Sequence, residues 1–160
     1  MNAVVDIIGL EPCLAASSWH VQYKNGEVPI MPSEDHESRA LAILKAIGAG
    51  TIPLDHFTPD ARWWWNGGID IPVTEFRDLV GQLHEQMADR IAITPGLINV
   101  QGDSVWIEAT SNGALKNGRI YSNRYVFLIH FTGEHVREVR EYSDSAHVLA
   151  TFDLSPAQGV

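Results

Sequence analysis

Asn117-Gly118-Arg119-Ile120-Tyr121-Ser122-Asn123-Arg124-Tyr125-Val126-Phe127-Leu128-Ile129-His130-Phe131 reads as a tight turn feeding one long strand. Asn-Gly adopts the backbone of a hairpin turn with little strain. Beyond it the side chains alternate. Tyr121, Asn123, Tyr125, Phe127, Ile129 and Phe131 share one face, while Val126 and Leu128 lie on the other beside Arg124 and His130. The flanking segments repeat this period of two: Leu97–Gln101 and Ser104–Asn112 before it, His135–Tyr142 after it. Gly102-Asp103 and Thr132-Gly133-Glu134 supply the other turns. In the second of these four strands Val105, Ile107 and Ala109 alternate against Trp106, Glu108, Thr110 and Asn112.

Upstream the period changes to 3.6. Ser33 offers a helix N-cap, and Glu34, Asp35 and Glu37 suit the first turn. Ala40, Leu41, Leu44 and Ile47 then recur at helical spacing until Gly48 and Gly50. A short helical turn, Pro53 to Phe57, closes at Thr58-Pro59-Asp60. Arg62-Trp63-Trp64-Trp65-Asn66-Gly67-Gly68 follows, an aromatic strand ended by glycines. Thr74 is expected to cap a second long helix whose stripe is Phe76, Leu79, Val80, Leu83, Met87 and Ile91. Helices first and hairpins second predict an α+β domain with a curved antiparallel sheet, a cone-like barrel, over residues 33–153. Residues 1–32 read as an extension that Trp19 and Tyr23 could pin to the body, and 154–160 as a tail. The helices can cover one sheet face only, so the other is expected to pack on a second copy as a homodimer.

A chain of 160 residues, 45% hydrophobic and 19% charged, fits one domain with a real core. Net charge is −9 and no lysine/arginine run occurs, which argues against nucleic acid and anionic membranes as partners. Cys13 is the sole cysteine, so no intrachain disulfide or cysteine zinc site can form. The apolar patch Ala3 to Leu10 lacks a basic flank and contains Asp6, unlike a secretory signal. No apolar run approaches the roughly 20 residues that span a bilayer. The expectation is a soluble cytoplasmic protein. The seven histidines show no HxH or HExxH spacing, and no glycine-rich phosphate loop or nucleophile elbow occurs, so no metal and no cofactor are expected.

The order helix, short helix, aromatic strand, long helix and four strands resembles the nuclear transport factor 2-like superfamily, and within it the SnoaL-like and ketosteroid-isomerase-like group. The likeness rests on Phe57-Thr58-Pro59-Asp60-Ala61, on Asn117 through Tyr125, and on Val139-Arg140-Glu141-Tyr142-Ser143-Asp144, and covers about residues 34–152. It implies an apolar pocket between N-terminal helices and the concave sheet face, usually in a homodimer without a cofactor. Isomerases, cyclases, dehydratases and epoxide hydrolases occur in the group, as do transport factors and oxygenase subunits. The ketosteroid-isomerase aspartates fall on Trp65 and Phe127, and the first helix has no tyrosine. The limonene-epoxide-hydrolase arginine and two aspartates fall on Glu108, Thr110 and Glu141, its tyrosine and asparagine on Trp65 and Gly67.

The polar groups expected to point inward are therefore Glu108, Thr110, Asn112, Asn123, Tyr125 and Glu141, with Asp144 just beyond. A carboxylate in an apolar, tryptophan-rich hollow loses hydration and gains a pKa suited to proton transfer. Glu141 leads as acid/base; it could instead pair with Arg137 or Arg140. Glu108 is the second candidate, or a partner of Arg124. Tyr125 or Asn123 would steady developing oxygen charge. Trp63, Trp65, Phe127 and His84 are candidate substrate contacts, with core packing as the alternative for the indoles and a satisfied, half-buried ring for His84. Asp144 binds substrate or caps the segment Ser145–Phe152. The function this supports is a cofactor-independent acid/base enzyme acting on a small apolar metabolite. A non-catalytic binding protein and an interaction subunit are the alternatives.

Overall fold

The computed structural model describes residues 34–154. The expected extension over 1–32 with Cys13, Trp19 and Tyr23, the Ser33 cap, the side chains of Glu34 and Asp35, and residues 155–160 lie outside the described residues. Six strands form one curved, open sheet: β1 (Phe57–Trp65), β2 (Ile69–Pro72), β3 (Ala92–Gln101), β4 (Ser104–Ala114), β5 (Ile120–Thr132) and β6 (His135–Ser143). Their order is β2-β1-β6-β5-β4-β3. The architecture is α+β, as the change of period predicts. One neighbour pair departs from the antiparallel expectation: β1 runs parallel to β6. The chain leaves β1, crosses over through helix and hairpins, and returns beside β1 in the same direction.

Three helices accompany the sheet: α1 (Glu34–Gly48), α2 (Val73–Glu85) and α3 (Ser145–Thr151), with a 3-10 turn at Leu54–His56. α1 packs on β3 and β4, α2 on β1 and β2, and α3 on β5. The core between the layers holds Ile43, Leu44, Trp63, Val105, Ile107, Phe127, Ile129, Val136 and Val139, all essentially without solvent contact. At the exit of α1, Gly50 turns the chain at φ +86°, and a Cβ there would stand 2.7 Å from the His84 ring. A glycine is needed on both counts.

Three expectations need correction. α2 begins at Val73 after Pro72 with no side-chain cap, so Thr74 does not cap it, and it ends at Glu85. Met87 and Ile91 continue the helical spacing but lie beyond the helix. There the backbone bonds to the β4–β5 loop instead: Ala88 N–H to the Ala114 carbonyl at 2.8 Å, Lys116 N–H to the Gln86 carbonyl at 2.9 Å. Tertiary hydrogen bonds have overridden the periodicity. β3 starts at Ala92 rather than Leu97 and contains Pro95-Gly96; it is an edge strand, and its ladder to β4 breaks register between Pro95 and Ile98. The four-residue β2, too short to show a period, pairs with β1 from Arg62↔Pro72 to Trp65↔Ile69.

The β4–β5 register carries the largest correction. A two-residue turn at Asn117-Gly118 would set Glu108 opposite Phe127 and Thr110 opposite Tyr125. The loop has one more residue: Leu115 N–H donates to the Arg119 carbonyl at 2.9 Å, and Gly118 at φ +84° closes the turn. Ile107 then faces Phe127, Ala109 faces Tyr125 and Ser111 faces Asn123. A slip of one residue transfers every side chain to the opposite face. Glu108, Thr110 and Asn112 accordingly lie exposed on the outer face. That face also carries Trp106 and Tyr142, 42% and 39% exposed, on either side of Leu128 and Val126. Trp64 lies beside Tyr142 with the Arg140 guanidinium 4.5 Å over its ring, and Arg140 pairs with Glu138 at 3.3 Å.

Candidate functional site

Glu141 stands on the inner face of β6, in register with Trp65 of β1 on one side and Phe127 of β5 on the other. Its phase follows from Val139, two residues earlier and fully buried. The carboxyl reaches a cavity of about 210 Å³. α2 lines it with Phe76, Leu79, Val80, Leu83 and His84, and α1 contributes Ile47. The sheet supplies Trp65, Tyr121, Tyr125 and Phe127, and Val148, Phe152 and Leu154 add further apolar lining. Glu141 is the acidic residue among these walls.

One indole holds that carboxyl directly and a second holds it through Ser143. Trp63 Nε1–H donates to Oε2 at 3.0 Å. Trp65 Nε1–H donates to Ser143 Oγ at 2.8 Å, and the Ser143 hydroxyl donates a long bond of 3.4 Å to Oε1. Among the described residues no guanidinium pairs with it; Arg140 is turned to the outer face, where it meets Glu138. Burial pushes the Glu141 pKa from 4.5 up to about 7, and the bonds from Trp63 and Ser143 hold it from rising further. Near neutrality the group exists in both protonation states, which is what a proton-transfer residue requires. Gly67 makes room for the Trp65 wall, since a Cβ there would stand 2.2 Å from the indole ring.

Tyr121 and Tyr125 line the same cavity, and their hydroxyls form a buried cluster with Ser111. The Tyr121 and Tyr125 oxygens are 2.5 Å apart, and Ser111 Oγ lies 3.0 Å from Tyr125. Burial raises the pKa of both phenols, so they remain protonated. His84 donates Nε2–H to the Ile47 carbonyl at 3.0 Å; burial lowers its pKa and this bond partly offsets the fall, leaving a neutral ring.

Of the sequence-derived candidates, Glu141, Tyr125, Trp65, Phe127 and His84 line the cavity together. The others do not. Trp63 is fully buried and stacked on Phe76 at 4.0 Å, so it reaches Glu141 but not the open volume. The Asn123 amide is saturated: Oδ1 accepts the backbone N–H groups of Arg124 and Asp144, and Nδ2 donates to the Tyr121 hydroxyl and the Asp144 carbonyl. It positions Tyr121. Asp144 accepts the His147 N–H at 3.0 Å and caps α3, the second of its two expected roles. Glu108, Thr110 and Asn112 are excluded by the register. Sequence reading missed Tyr121, Ser111 and Ser143, although Tyr121 shares the Tyr125 face and Ser143 the Glu141 phase. Among the described residues no three His, Cys, Asp or Glu side chains converge as metal ligands, and no helix is long and apolar enough to cross a membrane.

No family model and no curated protein sequence matches this chain. Solved structures do. A protein named as a SnoaL-like polyketide cyclase from Jannaschia sp. CCS1 is similar with a TM-score of 0.66 and 18% identity, over 82% of this chain and 100% of its own. The BvnE pinacolase from Penicillium brevicompactum has a TM-score of 0.66 and 18% identity, over 78% of this chain and 93% of its own. A protein of unknown function from Burkholderia pseudomallei K96243, nuclear transport factor 2-like by name, scores 0.62 at 16% identity, over 73% and 96%. At such identities the likeness carries the fold and not the reaction. The open curved sheet, its helical cover and these neighbours together show that the chain has a nuclear transport factor 2-like fold.

Proposed function

We propose that this chain is a cofactor-independent acid/base enzyme acting on a small, largely apolar metabolite by isomerisation, cyclisation, dehydration or a related lyase step. One observation carries the reading: the Glu141 carboxyl reaches an apolar cavity, held by Trp63 and Ser143, with a pKa raised to about 7. A binding protein for apolar ligands gains nothing from a carboxyl there, because dehydrating it costs stability. A proton-transfer site needs one. Tyr121 and Tyr125 face the same volume and can steady negative charge on oxygen.

The test is hydrogen exchange. Small apolar ketones incubated with the protein in deuterated water are expected to take up deuterium beside the carbonyl. Glu141→Gln is expected to slow this by about 100-fold or more. Exchange that Glu141→Gln leaves untouched, or a panel that the wild-type chain does not accelerate, defeats the proposal. The proposal includes a cytoplasmic homodimer. Its supports are the lone cysteine and the outer sheet face, where Trp106 and Tyr142 stand exposed beside Leu128.

A further inference from the structure

The hydroxyls of Ser111, Tyr125 and Tyr121 form a chain with one hydrogen too many. Ser111 to Tyr125 (3.0 Å) and Tyr125 to Tyr121 (2.5 Å) are two links, and the three groups bring three hydrogens. The ends of the chain do not absorb the third. Ser111 Oγ already accepts the Asn123 backbone N–H at 3.2 Å. Tyr121 accepts Asn123 Nδ2–H at 3.2 Å, and that amide cannot be reversed, because its Oδ1 takes backbone N–H groups from Arg124 at 2.8 Å and Asp144 at 3.1 Å. Both outer partners are donors. When both ends donate inward, the Tyr125 hydrogen is left over; when the chain runs from Ser111 to Tyr121, the Tyr121 hydrogen is. Both phenols line the cavity and are only 5% and 9% exposed. The remaining polarity strands the hydrogen on Ser111, which does not line the cavity, and leaves a buried donor unmade.

The geometry points to Tyr121 and Tyr125 as a donor site for an acceptor oxygen, so that the cavity takes a small fused-ring carbonyl compound with its oxygen on a phenol. This rests on the cavity being a ligand site, as proposed above, and names the chemistry of its occupant. A phenol that accepts one or two hydrogen bonds is polarised and donates more strongly to a third group. The size follows from the volume: a cavity of about 150 Å³ holds benzene, and the 210 Å³ here suit two fused rings. Apart from Glu141 and the hydroxyls, the walls are almost entirely apolar, so the rest of the ligand must be hydrocarbon.

The test compares two probes of one shape, 1-tetralone and tetralin, by calorimetry on the full chain. The ketone is expected to bind about tenfold more tightly, the worth of one satisfied buried donor. Its carbonyl stretch should fall below the frequency in an apolar solvent. The double variant Tyr121→Phe/Tyr125→Phe keeps both rings and is expected to bind the two probes alike, with the stretch unshifted. Either single variant keeps the preference, since each leaves one phenol hydrogen spare. Equal wild-type affinities or an unshifted carbonyl overturn the inference, and the wild-type frequency decides alone if the double variant does not fold. If neither probe binds, the ligand site itself fails and the proposed function with it. If the ketone preference holds while deuterium exchange is absent, only the catalytic reading falls.

Discussion

A carboxyl enclosed by indoles makes the stability of this chain depend on pH in a sense opposite to that of a paired surface glutamate. Glu141 titrates near 7 in the folded chain against 4.5 when unfolded. A raised folded pKa means that the native state holds the proton more tightly. The corresponding stability is fully present below about pH 4.5 and is lost as pH rises through 7. The shift corresponds to roughly 3 kcal/mol. Urea unfolding at a series of pH values is expected to show Glu141→Gln gaining on the wild-type chain by about 2–3 kcal/mol between pH 5 and 8. Parallel curves would mean a hydrated carboxyl. Glu141 was legible from its phase with Val139. The division of labour between Trp63 and Trp65 was not: both share one strand face, and only packing puts Phe76 flat on the first and an open volume against the second.

Among the elements, α3 is a short helix that starts on a side-chain cap. It has seven residues, too few to persist by helix propensity, and the Asp144 side chain caps its first turn. Its Val148, with Phe152 just beyond its end, lines the cavity. Asp144→Ala is expected to cost about 1 kcal/mol in thermal unfolding. It should weaken ligand binding too, although Asp144 itself does not line the cavity. Glu108→Ala, on the outward phase of β4, is expected to stay within about 0.5 kcal/mol of wild type. Had Glu108 faced inward as first expected, its loss would move both stability and binding. β4, β5, β6 and the first helix could be read from the sequence because each has its own period, whereas β2 is too short to show one and Pro95-Gly96 masks the start of β3. The phase between β4 and β5 could not, because it hung on whether the Asn117-Gly118 loop holds two residues or three.

At the scale of the whole molecule, the proposed homodimer would join two copies through the outer face of the sheet. Trp106→Glu, placed where the native indole is 42% exposed beside Leu128, is expected to convert a wild-type dimer into a monomer in sedimentation velocity. An unchanged sedimentation coefficient, whether monomeric in both or dimeric in both, removes that face from the interface. The expectation of a partner there comes from the sequence, since β5 carries apolar groups on both faces while the helices come from one side. The two rims of the sheet serve a different end. Among the described residues no strand lies beyond β2 or β3, and each rim carries a proline: Pro72 ends the four-residue β2, and Pro95 interrupts β3 where its register breaks. Proline offers no amide hydrogen to an incoming chain, and the bulge throws its neighbours out of step. A stray copy arriving rim-on thus meets an interrupted template, which is a poor starting point for runaway fibre growth.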